Sequence, residues 1–418
     1  MEKVKIIDRF PSGIITPPSS KSLCHRALIC AALASASAGE SIISNVSLSE
    51  DISATIAGMK KLGAGMEING NIIRVRGAAL DSHAREIDCG ESGSTLRFLL
   101  PLAMLGGGVA VFTGRGRLME RPMDAYVEAF AGKNVSFTRA GEKIEVRGPL
   151  RGGIFRLPGD VSSQFVSGLL LALPLLAGDS EIILVTPLES RSYVDMTLDV
   201  MRHFGVEITS SANGFIVKGG QKYIPADYAV EADYSQAAYF LAAGALGRSI
   251  GCKGLNPGSR QGDRAILALL KHMGARVTHN DEITYVKADK LTAVDVDARE
   301  IPDLVPPIAV LCCYCRGVSR ITNAARLRLK ESDRLGVMAS ELSKLGAKVE
   351  EGADSLTITG VSELAGGRVD AHNDHRIAMS MALAAIGCRG AVELTGADSV
   401  NKSYPDFWKD FEKEAKHV

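Results

Sequence analysis

Asn373-Asp374-His375-Arg376-Ile377-Ala378-Met379-Ser380-Met381-Ala382-Leu383-Ala384-Ala385-Ile386 sets an acid, an imidazole and a guanidinium within one helical turn and then runs into an apolar stretch. A solvated surface helix keeps its charges along one face and does not follow them with an apolar run. Polar groups at the mouth of a buried helix point instead to a ligand. Taken alone, an N-cap with a surface ion pair explains the string equally well. The case rests on repetition. Six apolar segments open on a small or acidic residue suited to an N-cap, at Ser22, Ser94, Ser163, Ser235, Asp303 and Asp374, in steps of 72, 69, 72, 68 and 71 residues. Near-equal steps of this kind mark an internal repeat.

A second marker recurs inside the units. Lys60-Lys61-Leu62-Gly63-Ala64, Lys271-His272-Met273-Gly274-Ala275 and Ser343-Lys344-Leu345-Gly346-Ala347 share one pattern, with His203-Phe204-Gly205-Val206 a looser copy. Each reads as a basic or polar last helical turn, a glycine able to take a left-handed C-terminal conformation, and then a strand. The second unit, at Ala131-Gly132-Lys133, keeps only the glycine. Each unit therefore reads as buried apolar helix, strand, amphipathic helix, strand, strand, which is an α/β (α+β) class. Six such units fit two lobes of three repeats each: residues 1–15 plus 228–418 as a discontinuous first lobe, and 16–227 as the second. The first strand, within Met1–Ile7, is assigned to the C-terminal lobe, with the crossing at Thr16-Pro17-Pro18-Ser19.

Composition narrows the function. Of 418 residues 46% are hydrophobic and 23% charged, with 48 Lys+Arg against 48 Asp+Glu. Zero net charge argues against a nucleic-acid partner or a membrane surface. The longest apolar run, Phe165–Ala177, is too short to span a bilayer and contains Pro174. Eight scattered cysteines, with Cys312, Cys313 and Cys315 in an apolar run, read as buried thiols of a cytoplasmic enzyme. His372 and His375 lie three apart, but Arg376 beside them would repel a cation, so neither a metal nor a cofactor is expected. Buried helices with polar mouths attract anions through free N–H groups and the dipole. Lys21, Arg26, Arg97 and Arg376 near those mouths add to this, so the expected substrates are small and multiply anionic. Asp303, acidic and flanked by apolar residues, is expected to have a raised pKa and to act as a base.

Ser20-Lys21-Ser22 with Arg26, Leu118-Met119-Glu120-Arg121-Pro122, Ser162-Ser163-Gln164, Lys330-Glu331-Ser332-Asp333-Arg334, Asn373-Asp374-His375-Arg376 and Lys402-Ser403-Tyr404-Pro405-Asp406 together resemble the enolpyruvyl transferases, and within them the branch acting on shikimate 3-phosphate. The resemblance covers essentially the whole chain. It implies a two-lobed inside-out α/β barrel with three βαβαββ units per lobe. It also implies transfer of the enolpyruvyl group of phosphoenolpyruvate to the 5-hydroxyl of shikimate 3-phosphate, releasing phosphate, in the shikimate pathway of aromatic amino acid biosynthesis. Neither metal nor cofactor is implied, and a monomer is expected.

By the same resemblance Lys21, Arg117, Arg334, Arg376 and Lys402 would hold phosphoenolpyruvate, with Gly93 and Gln164 alongside. Ser22, Arg26, Ser162, Ser163, Ser190, Tyr193 and Lys330 would hold shikimate 3-phosphate. Asp303 would take the proton of the attacking hydroxyl, and Glu331, assisted by Lys21 and His375, would handle the proton at the methylene carbon. Departures from the usual pattern are Ser19 for glycine, His25 and Glu91 each for asparagine, Phe98 for proline and Arg326 for asparagine. The sister transferase acting on UDP-N-acetylglucosamine uses a loop cysteine as acid, and Gly114–Glu120 has none. A non-catalytic anion-binding repeat protein is the rival of another class, and the presence of Asp303, Glu331 and His375 weighs against it.

Overall fold

The computed structural model describes residues 3–34, 39–77, 80 and 85–413. It separates into two compact units: a C-terminal unit of Met1–Ser20 with Glu231–Val418, and an N-terminal unit of Lys21–Val230. Each has its own apolar core. In the N-terminal unit the apolar helices are Lys21–Leu33, Gly93–Ala103 and Ser163–Ala172. In the C-terminal unit they are Tyr234–Ala245, Val305–Cys313 and His375–Ala385. Every residue of Val305–Cys313 and His375–Ala385 is buried, as their all-round apolar character requires. Cys312, Cys313 and Cys315 lie in that core, and burial raises each thiol's pKa, that of Cys312 to about 11. Helices Glu50–Lys61, Arg191–His203 and Arg334–Lys344 bury one face only. Among the described residues no helix is long and apolar enough to cross a membrane.

Among the described residues there are six small sheets, and three of them follow one rule: the strand before the apolar helix pairs parallel with the strand after it, and that strand pairs antiparallel with a closing hairpin. Arg85–Asp88, Val109–Thr113, Lys143–Arg147 and Ser136–Ala140 form one such sheet in that order. Two sheets take a strand from across a crossing of the chain. Tyr228–Ala229 pairs with Ile43–Ser44, and Gly13–Ile15 pairs with Ile250–Cys252. The units accordingly divide at Ser20/Lys21 and Val230/Glu231, a few residues later at each crossing than the turn residues suggest. The sixth unit is not a full βαβαββ repeat. After Val392–Thr395 the chain enters a 3-10 turn and a short helix instead of a hairpin, and Val4–Ile7 supplies the antiparallel partner.

The marker glycines behave as their spacing predicts: Gly63, Gly205, Gly274 and Gly346 take φ of 99°, 82°, 96° and 94°. The caps sit one or two residues earlier than the sequence pattern suggests. Ser92, Ser162 and Asp233 cap their helices through side-chain oxygens, so Ser94, Ser163 and Ser235 fall in the first turn. Asp374 is the cap as expected and accepts from Arg376 N at 2.9 Å. Asp303 lies within a 3-10 turn, Pro302–Leu304, that leads into its helix. Helices Gly93–Ala103 and Ser163–Ala172 approach closely because Gly168 has no side chain. A Cβ there would stand 2.3 Å from the Arg97 carbonyl oxygen.

Candidate functional site

Each unit holds a polar cluster that gathers residues singled out in the sequence. In the C-terminal unit it is built around Asp303. Arg376 donates to the Asp303 carboxylate and carbonyl, both at 3.0 Å. Arg334 Nη1 reaches the same carboxylate at 3.2 Å, and Lys330 Nζ stands 3.7 Å away. Arg334 is 1% exposed and also binds Asp374 at 2.9 and 3.1 Å and Glu331 in a close ion pair. Ser332 Oγ donates to Asp374 at 3.0 Å. The two strings Lys330–Arg334 and Asn373–Arg376 thus fold into one constellation. Lys402, 5% exposed, joins it by donating to the Asn373 carbonyl at 2.5 Å.

The electrostatics correct one expectation. Burial does push the Asp303 carboxyl up, but Arg376, Lys330 and Arg334 more than offset it and hold it well below the usual carboxylate range. An apolar flank in sequence said nothing of three cations brought from elsewhere in the chain. Beside it a different carboxyl is raised, that of Asp263, which the sequence reading passed over. It is 2% exposed, accepts from the Ser235 hydroxyl, and is pushed up to about 7 by burial first and by Asp303 second. Lys330 is pushed down to about 8, chiefly by burial, with Asp303 opposing.

In the N-terminal unit the cluster gathers at the mouths of three helices. Asp88, ending its strand, accepts from Gly90 N at 2.8 Å, and Ser92 caps the next helix, so the Gly90–Gly93 turn is tightly held. Gln164 Oε1 accepts from Arg97 Nη1 at 2.7 Å, and Gln164 Nε2 donates to Ser94 Oγ at 3.0 Å. A Cβ on Gly93 would lie 2.8 Å from Arg121 Nη1, 3.1 Å from Arg97 Nη1 and 3.4 Å from Gln164 Oε1. Glycine here leaves the space beside two guanidinium groups unfilled at a helix N-terminus, an arrangement that suits a small anion.

Arg117 does not belong to this group. Its side chain is 45% exposed and ion-paired at 3.7 Å with Glu120. Arg121, 8% exposed, is the arginine of that loop at Gly93, and its motif was visible in Leu118–Pro122. Lys21 pairs with Asp51 at 2.6 Å, a partner from the next helix that sequence reasoning missed. Arg26 is 2% exposed and spends its donors inside the unit: Nε on Thr197 Oγ1 at 2.7 Å, Nη1 on the Ser22 carbonyl at 2.7 Å and Nη2 on the Tyr193 carbonyl at 2.9 Å. Ser162 and Ser163 open their helix, and buried Ser190 takes φ 54° just before helix Arg191–His203.

The unusual residues have local roles. The Phe98 ring carries the Arg26 guanidinium at 5.1 Å and the His25 ring edge-on at 6.4 Å. Burial, with Lys21 and Arg26 nearby, lowers His25 well below the ordinary imidazole range, so it is neutral. Its Nδ1 meets Thr55 Oγ1 at 2.7 Å, which in turn meets Thr95 Oγ1 at 2.6 Å. Glu91 lies against Gly116, whose φ is 56°. Arg326 Nη2 donates to the Arg299 carbonyl at 2.5 Å.

Glu331, Asp374 and His375 bring potential ligand atoms within 4.8 Å of one another. Arg334 already binds both carboxylates, so the donor set is that of an arginine clamp and a poor fit for a cation.

The pattern of one family, EPSP synthase (3-phosphoshikimate 1-carboxyvinyltransferase), matches residues 7–411. A 3-phosphoshikimate 1-carboxyvinyltransferase of Clostridium perfringens is 46% identical, with 98% of each chain covered. One of Clostridium novyi is also 46% identical, over 99% of this chain and 97% of its own. Among solved structures, an EPSP synthase of Acinetobacter baumannii aligns with a TM-score of 0.79 at 25% identity, covering 98% and 97%. The enolpyruvyl transferase NikO of Streptomyces tendae aligns at 0.76 with 19% identity over 98% and 96%, a likeness of fold.

Proposed function

This chain belongs to the EPSP synthase (3-phosphoshikimate 1-carboxyvinyltransferase) family, and from that premise we propose how its residues divide the work. The reaction transfers the enolpyruvyl group of phosphoenolpyruvate to the 5-hydroxyl of shikimate 3-phosphate and releases phosphate. The observation that supports the roles best is Asp303 held by Arg376, Arg334 and Lys330, with Glu331 in the same cluster.

Asp303 accepts the hydroxyl proton as oxygen attacks C2 of phosphoenolpyruvate, and Glu331 delivers a proton to the methylene carbon, with Lys21 and His375 assisting. The tetrahedral adduct then loses phosphate and returns a proton from its methyl group. In the free protein three cations suppress the basicity of Asp303. Substrate anions compete for those cations, so its proton affinity climbs on binding, when the base is needed. Arg334 would reach a ligand through donors now spent on Asp303 and Glu331. Arg376 and Lys402 serve phosphoenolpyruvate, as do Lys21, Gly93 and Gln164, with Arg121 in the place first given to Arg117. Ser22, Ser162, Ser163, Ser190, Tyr193 and Lys330 serve shikimate 3-phosphate, Arg26 through its remaining Nη1 donor. The protein is further read as cytoplasmic and as a monomer, and sedimentation of the purified chain checks the second of these.

Phosphate release is expected with phosphoenolpyruvate plus shikimate 3-phosphate, unchanged by a metal chelator, and none with UDP-N-acetylglucosamine as acceptor. Buried hydroxyl and amide groups fitted to one acceptor reject another strongly. Turnover of the UDP-sugar, or activity lost to chelator and restored by zinc, overturns the reading.

A further inference from the structure

Glu341 lies on helix Arg334–Lys344, seven residues beyond Arg334 and so on the same face two turns on. Its side chain is 0% exposed. A buried carboxylate is costly unless its oxygens are paired. Here they receive Lys344 Nζ at 2.7 and 2.9 Å, Asp370 N at 3.0 Å and His372 Nε2 at 2.8 Å. A carboxylate only accepts, so the proton of His372 sits on Nε2.

Two of these four contacts, those to Asp370 N and His372 Nε2, lie in the turn that leads to Asp374. His372 and Asn373 take φ of 48° and 52°, a left-handed pair that costs energy for residues with a Cβ and persists only where its surroundings hold it. Glu341 grips the turn at its entry through Asp370 N and at its apex through the His372 ring. Asp370 Oδ1 in turn accepts from His372 N at 2.5 Å, and Asp374 N closes the turn on the Ala371 carbonyl at 2.8 Å. The Asn373 carbonyl so aimed is the one that receives Lys402, and the next residues are Asp374, His375 and Arg376.

We propose that Glu341 is a positioning residue that holds the left-handed His372–Asn373 turn in the form that seats Lys402 and aims Arg376 for phosphoenolpyruvate. This rests on the roles given above to Lys402 and Arg376. Glu341 touches no reacting atom. Its effect passes through the turn.

The test uses the full-length protein, with wild type and the variants Glu341→Gln and His372→Gly. The glutamine keeps the shape but turns an amide donor toward donors. The glycine keeps the left-handed backbone and loses only the ring, so it remains folded if the glutamine does not. The expected result is a KM for phosphoenolpyruvate raised about tenfold in Glu341→Gln and about threefold in His372→Gly. The dissociation constant of shikimate 3-phosphate bound alone should stay within about twofold, and amide hydrogen exchange across Asp370–Asp374 should quicken in both. A purely architectural role would lower the active fraction, and so kcat, while leaving KM unchanged. That outcome, or unchanged exchange in the turn, overturns the proposal. The exchange measurement needs no substrate. Failure of wild type to release phosphate would instead strike the functional reading alone.

Discussion

The arginines of the two clusters are satisfied in opposite ways, although Lys21 of the N-terminal cluster pairs with Asp51 and Lys402 of the C-terminal one meets a carbonyl. In the C-terminal unit the arginines are matched by carboxylates: Arg334 binds Asp303, Glu331 and Asp374, and Arg376 binds Asp303. In the N-terminal unit Arg26 and Arg97 donate to neutral oxygens of Thr197, Ser22, Tyr193 and Gln164. A carboxylate-matched cluster can pass protons, because adding or removing a ligand anion re-tunes its acids. A guanidinium satisfied by neutral oxygens keeps its full charge for an incoming anion. On the roles proposed above, the reacting carboxylates Asp303 and Glu331 both lie in the matched cluster, and the arginines of the other cluster would only hold.

The sharpest way to break this contrast is Asp303→Asn. Removal of the base should lower kcat by about 10²–10⁴-fold with little change in either KM. Steady-state phosphate release measures it, and near-normal turnover sinks the assignment. Arg121→Ala comes next, on the holding side. Loss of a charged donor should raise the phosphoenolpyruvate KM about 10- to 100-fold while kcat holds. Gly93→Ala should give about a tenfold rise, since its Cβ would meet Arg121 Nη1 at 2.8 Å. The atom that must yield is the tip of a flexible side chain, so the thermal midpoint should barely move. A variant with unchanged KM would place the anion elsewhere.

Smaller still is a pH effect at Lys330, whose ammonium is pushed down to about 8. Folded Lys330 releases its proton before the unfolded chain does. Its linked contribution to folding stability therefore rises between pH 8 and the ordinary lysine range, while its grip on an anion weakens. The KM for shikimate 3-phosphate should climb about fivefold between pH 7 and 9, and Lys330→Arg should flatten that climb. A wild-type profile without the step removes Lys330 from the acceptor site. The smallest effect belongs to Arg117→Ala, less than about threefold on either KM, because an exposed ion pair contributes little. A larger loss would restore Arg117 to the site in place of Arg121.

What could be read from sequence and what could not follows from the range of each interaction. The left-handed glycines at 63, 205, 274 and 346 and the buried helices are local: a φ and an apolar period show in a few residues. The strings Lys330–Arg334 and Asn373–Arg376 were legible for the same reason. The sense of the Asp303 shift was not, because its cations come from residues 27 to 73 positions later. Asp51, thirty residues from Lys21, and Glu341, thirty-one from His372, are long-range partners with no local mark. Arg117 and Arg121 differ only in which way a loop turns, and spacing in a loop does not encode that. The helix caps shifted by one or two residues because several small polar residues stand side by side at each mouth.

The strands shared across the chain crossings bear on the order in which the molecule is made. Vectorial synthesis delivers every strand of the N-terminal unit by the time Tyr228–Ala229 emerges to complete the sheet of Glu40–Ser44. Val4–Ile7 and Gly13–Ile15, although translated before that unit, find their partners only when Val392–Thr395 and Ile250–Lys253 have been added. The nascent chain therefore carries unpaired strand edges ahead of a unit that can already close, and those edges remain exposed to mispairing, Gly13–Ile15 until Ile250–Cys252 is made and Val4–Ile7 until Val392–Thr395 follows.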